Sequence, residues 1–151
     1  MRFLFFDIDG VLNKSADWKI RSYSMDDALI EKFCRFVRKN KLTPVITSSW
    51  RTGFVKTLSE DNSPQIRELE SKFQKYGVEI LDKTPVAKGH SRDEEIAYFC
   101  RRHENEGYLI LDDDKTEYGR IDAHNFFTDS ATGFTEELAK KMEKYLKTCS
   151  K

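Results

Sequence analysis

The apolar positions of this chain come in two rhythms. Residues 3–6 (FLFF) are continuously apolar, the pattern of a strand covered on both faces. Short strands of the same kind fall at 43–47 (TPVIT), where Pro44 is tolerable only near the start, and at 78–81 and 108–111 (YLIL); a weaker one lies at 125–127. Between them the period lengthens to that of a helix. Ser24, with Asp27 three residues on, predicts a capped helix whose inner face carries Met25, Ala28, Leu29, Phe33, Phe36 and Val37. Ser63-Pro64 opens a second helix with Ile66, Leu69, Phe73 and Tyr76 inward and Gly77 as its stop. Ser91 and Glu94 form a stricter capping box for a third, with Ile96, Phe99 and Cys100 inward, and a last helix starts at Thr135 and carries Leu138, Met142 and Tyr145.

Strands alternating with helices predict an α/β fold: a three-layer α/β/α sandwich around a central parallel sheet, Rossmann-like in plan. The length, 151 residues, suits one domain over 1–151 with a real core. Equal numbers of basic and acidic residues, 26 each, argue against a generic polyanion binder, though not against a local basic patch. Three cysteines, Cys34, Cys100 and Cys149, are odd in number and show no metal-ligand spacing, which points to a reducing compartment and idle thiols. The opening apolar run is too short for a signal segment or a membrane span, so a cytoplasmic chain with no membrane partner is expected. Oligomeric state leaves no mark in the sequence.

The chemistry collects where strands end, which is where ligands sit in sheets of this kind. Asp7 and Asp9 follow the first strand. Residues two apart in extended chain project to one side, so two anions share one region and repel. A divalent cation removes that cost, and carboxylate oxygens suit Mg²⁺; Gly10 then lets the chain turn. The fourth strand ends likewise, in Asp112, Asp113 and Asp114. Either cluster alone is equally well a helix cap or a wet surface; two of them behind two apolar strands point to one shared metal. The second strand ends in TSSWR, where Thr47, Ser48 and Arg51 offer hydroxyls and a planar fork for phosphate, the plainer alternative being a polar turn with Arg51 paired to a surface carboxylate. Lys88 and Arg92 flank the Ser91 cap, and cations at a helix N-terminus suggest that an anion belongs there.

Metal, hydroxyl and cation at successive strand ends amount to a phosphate site, and the constellation resembles the haloacid dehalogenase-like (HAD) phosphohydrolase superfamily. Asp7-Ile8-Asp9-Gly10-Val11 matches its first motif, Thr47 or Ser48 its second, Lys88 or Arg92 its third and Asp112-Asp113 its fourth. More narrowly, DIDGVLN, TSSWR, SRDEEI, LILDDD and TDSATGFTEE resemble the HAD domains named for bacterial Swiss Army knife RNA-repair proteins. The resemblance implies a Mg²⁺-dependent phosphomonoesterase with Asp7 as nucleophile and Asp9 as acid and then base. It implies a metal set of Asp7, the Asp9 carbonyl and the Asp112–Asp113 pair, of which Asp113 reaches the ion and Asp112 orients the lysine or a bound water. Asp114 has no place in that scheme.

Residues 14–24 are too few for a cap domain, and most of 52–88 is needed by the core. A minimal cap or none leaves the site open, which suits a nucleic-acid end or a protein, while nucleotides and small phosphate esters also fit. Trp18, Lys19, Arg21, Tyr23 and Trp50 lie on loops near the site and are placed to stack bases and grip phosphates, or simply to cover the edge of the core. The competing class is a non-catalytic phosphate or Mg²⁺ module, or a phospho-accepting receiver; Asp9 speaks against the receiver, which needs no acid there.

Overall fold

A computed structural model describes residues 1–20 and 24–149. Five parallel strands form one sheet: β1 (Arg2–Phe6), β2 (Leu42–Ile46), β3 (Asp82–Lys83), β4 (Tyr108–Asp112) and β5 (Asn125–Phe127), in the order β3-β2-β1-β4-β5. The helices are α1 (Asp27–Lys39), α2 (Pro64–Lys75), α3 (Arg92–Arg102) and α4 (Glu136–Cys149). This is the expected α/β sandwich.

The two faces of the sheet are covered unequally. Leu4, Phe6, Ile46, Leu109 and Leu111 meet α1, α2 and α4 in the larger core, where Phe6, Phe33 and Phe73 pack as a trio of rings. Phe3, Phe5, Val45 and Ile110 face the other way, onto Ile96 and Phe99 of α3 and onto Tyr118. Phe99 stands edge-on to both Phe3 and Phe5, at ring distances of 5.4 and 5.6 Å. Because α2 sends Ile66, Leu69 and Phe73 into the larger core, the segment between β2 and α3 belongs to the sandwich and builds no separate cap.

Two elements differ from expectation. The first helix is capped by Asp26, whose carboxylate accepts from the Ala28 and Leu29 N–H groups, two residues later than the Ser24 cap. The third strand was expected at 78–81, but Val78 and Ile80 are buried without joining the ladder, which forms only at Asp82–Lys83. Pro44, one step before the Val45–Asp82 pair, has a carbonyl, which takes the Leu81 N–H, but no N–H to give back. Ser63 and Ser91 cap α2 and α3 as expected. Among the described residues no helix is long and apolar enough to cross a membrane.

Candidate active site

Strand parity decides which side chains meet. Phe3 and Phe5 of β1, Val45 of β2 and Ile110 of β4 all face α3. Two residues further along each chain come Asp7, Thr47 and Asp112, on the same side and at the carboxyl edge of the sheet. The strand pairing persists one step beyond β1, with Asp7 N–H donating to Leu111 O at 2.9 Å and Thr47 N–H to Phe6 O at 3.0 Å. Carboxylate oxygens of Asp7, Asp112 and Asp113 then lie within 4.8 Å of one another.

The three acids are not equivalent. Asp112 is fully buried and its oxygens are spent: Oδ1 accepts the Asp113 and Asp114 N–H groups, and Oδ2 accepts Arg92 Nη1 and the Tyr118 hydroxyl, both at 2.7 Å. Asp112 therefore orients Arg92 and the following turn. Asp7 and Asp113 are less heavily bonded and share a side-chain hydrogen bond with each other. Burial, then the charge of Asp112, pushes the Asp7 carboxyl well above the usual carboxylate range, with Arg92 pulling the other way. Burial likewise raises Asp113 to about 6. Gly10 lets Asp113 approach. Its φ is +80°, and its carbonyl is held by the Thr128 hydroxyl at 2.7 Å. Asp114 caps the short turn at Lys115–Glu117 through Thr116 and stays outside the site.

Asp9 is partly exposed and lies outside the three-acid cluster. Its carboxylate accepts from Asn13 Nδ2 at 2.9 Å and from Trp50 Nε1 at 3.0 Å. Thr47 and Ser48 are both fully buried. The Thr47 hydroxyl has no hydrogen-bond partner among the described residues, whereas Ser48 Oγ accepts the Trp50 N–H and caps the turn at Ser49–Gly53.

Of the two candidate cations, Arg92 is the one at the acids. It sits in the first turn of α3 with Nη1 3.7 Å from Asp7 Oδ1, while Lys88 lies exposed in the turn before the helix. Arg51 corrects the sequence reading. It turns away from the strand-end acids and forms a buried two-pronged pair with Glu95 of α3, at 2.9 and 3.1 Å, with further bonds to Thr47 O and Thr84 Oγ1. No donor of that fork is left for phosphate except Nε, which is buried.

Trp50 packs against the larger core, as the edge-covering reading has it, and also donates a hydrogen bond to Asp9. Trp18 donates to Asn13 Oδ1 at 2.7 Å, and Lys19 is exposed. Arg21 and Tyr23 lie outside the described residues. Asn13, Glu95 and Tyr118 were not singled out from the sequence. Asn13 closes the DIDGVLN stretch of the narrower resemblance, three residues past the turn glycine, and that position is the one signal that could have flagged it. Glu95 and Tyr118 sit in charged stretches with nothing to set them apart.

The chain matches the family model described as the HAD domain in Swiss Army Knife RNA repair proteins over residues 3–139, which run from β1 into α4 and include every residue of the site. Neither a search of the curated proteins nor one of the solved structures returns a match.

Proposed function

Because the chain belongs to the family of HAD domains in Swiss Army Knife RNA repair proteins, we propose that it is a Mg²⁺-dependent phosphomonoester hydrolase working through an aspartyl-phosphate on Asp7. The observation that carries this reading is the meeting of Asp7, Asp112 and Asp113 behind two different strands, with Arg92 against them. One guanidinium lies against Asp7, Asp112 and Glu117 while Asp113 adds a further carboxylate to the cluster, and Asp7 and Asp113 are both held above their usual range. That is the environment of a cation site, and an all-oxygen donor set suits a hard divalent ion. Asp7, Asp113 and the Asp9 carbonyl would hold it, and it would neutralise charge as one anion attacks another.

The remaining work falls to the chain's own groups. A carboxylate oxygen of Asp7 attacks phosphorus and the bond to the leaving oxygen breaks. Asp9 gives its proton to that oxygen, then takes one from the water that attacks the acyl-phosphate and frees inorganic phosphate. Arg92, fixed by Asp112, balances the phosphoryl oxygens, and a hydroxyl of Thr47 or Ser48 positions one of them. The family's RNA-repair context and the absence of a separate cap among the described residues favour a large substrate. We take phosphorylated nucleic-acid ends as the first class to try, with nucleotides next.

The test is phosphate release from 3′- and 5′-phosphorylated oligonucleotides, nucleotides and p-nitrophenyl phosphate, by the wild type and by Asp7→Asn. The wild type releases phosphate from at least one ester, and Asp7→Asn folds normally but loses about 10³-fold or more. Turnover retained by Asp7→Asn would remove Asp7 from the nucleophile role. No release by the wild type from any ester would favour the binding-module class.

A further inference from the structure

Both tryptophans of the chain send their indole N–H toward the loop that follows β1. Trp50 Nε1 donates to Asp9 Oδ2 at 3.0 Å. Trp18 Nε1 donates to Asn13 Oδ1 at 2.7 Å, and the same oxygen takes the Gly10 N–H at 2.9 Å. Two donors on that oxygen fix which way the Asn13 amide faces, so its NH₂ group is turned onto Asp9 Oδ1, 2.9 Å away. Asn13 is buried, and the Trp50 ring packs against the larger core. Each oxygen of Asp9 is therefore held by an N–H from a different part of the chain, one before and one after the first crossover.

We propose that Trp50, with the Asn13–Trp18 pair on the other side, positions Asp9 for its acid and base steps. The inference rests on the phosphohydrolase reading of the same site. Asp9 must face the leaving oxygen in one step and the entering water in the next, and proton transfer falls off steeply when donor and acceptor are misaligned. A free aspartate just before a turn glycine rotates about two side-chain bonds. Two donors on its two oxygens remove that freedom, and a donor built into a packed ring holds its place better than a flexible side chain. Trp18 acts one step removed, since it touches Asn13 and Asn13 touches Asp9. None of the three needs to contact the substrate.

The proposal separates from a merely structural role by its dependence on the leaving group. A p-nitrophenolate leaves without much help from an acid, whereas an alkoxide needs the proton from Asp9. Trp50→Phe keeps an apolar ring and removes the N–H. It should cost kcat/KM on an alkyl phosphate about tenfold more than on p-nitrophenyl phosphate. Trp18→Phe should shift the ratio of the two esters in the same direction by a smaller factor, and it carries the comparison should Trp50→Phe not fold. Equal losses on both esters, or no loss on either, would overturn the positioning role while leaving the phosphohydrolase reading intact. No phosphate release by the wild type from either ester is a different result: it overturns the phosphohydrolase reading, and the positioning role falls with it.

Discussion

A methyl group at position 10 would stand 2.2 Å from Asp113 Oδ2 and 2.8 Å from its Cβ, at a residue whose φ of +80° already disfavours any side chain. The glycine of the first motif thus does two jobs: it makes the turn, and it leaves the space into which the acid from β4 projects. Gly10→Ala is expected to cost about 1–3 kcal/mol of stability through backbone strain. It should also lower phosphate release about tenfold or more, because Asp113 must move. Denaturant melts and a phosphate assay read the two effects separately, and an alanine variant with full activity would show that Asp113 is not where the chemistry needs it. At this scale the first motif was legible from its spacing alone. The choice of Arg92 over Lys88 was not, since it depends on how the turn before α3 closes. The division of labour between Asp112 and Asp113 came only from the family resemblance; the Tyr118 hydroxyl and the N–H groups that occupy Asp112 are contacts no spacing reveals.

Helix α3 brings Arg92 to the acids, and what holds its first turn in place is the pair Arg51–Glu95. Glu95 also accepts the Ala87 N–H at 2.7 Å, and Arg51 bonds Thr47 O and Thr84 Oγ1, so one buried ion pair ties the end of β2, the exit from β3 and the start of α3. Arg51→Ala leaves Glu95 buried without its counter-charge and is expected to destabilise the fold by about 3–5 kcal/mol. Arg51→Met combined with Glu95→Leu should recover much of that loss. Urea unfolding of the three proteins checks it, and an Arg51→Ala variant within about 1 kcal/mol of wild type would contradict the reading. Sequence reasoning placed Arg51 at the right strand end but in the wrong role, because its partner lies 44 residues away on another element. Four strands and four helices were legible because their apolar runs and caps are local signals. The third strand slipped because pairing also depends on the neighbouring strand, and Pro44 has no N–H to offer.

Across the whole molecule, one sheet with one polarity delivers β1 and β4 side by side, so acids more than a hundred residues apart in sequence share a site. That juxtaposition has a pH signature. Asp7 and Asp113 are held above their unfolded values, so in metal-free solution the folded state binds more protons than the unfolded one. The contribution of Asp113 to stability is therefore greatest below about pH 4 and is lost as pH rises through about 6, and that of Asp7 runs in the same direction. A cation that needs both groups ionised acts in the opposite sense. Mg²⁺ is expected to raise the melting temperature near pH 8 and to do almost nothing near pH 5, which thermal melts with and without the ion will check. The most direct test of the account is a Mg²⁺ titration of p-nitrophenyl phosphate hydrolysis by the wild type and by Asp113→Asn. Wild-type activity should vanish in chelator and saturate with Mg²⁺, and Asp113→Asn should need about tenfold more of the ion or more, if it recovers at all. Full activity in chelator, or the same Mg²⁺ requirement in both proteins, would contradict the claim that the acids closing β1 and β4 share one cation.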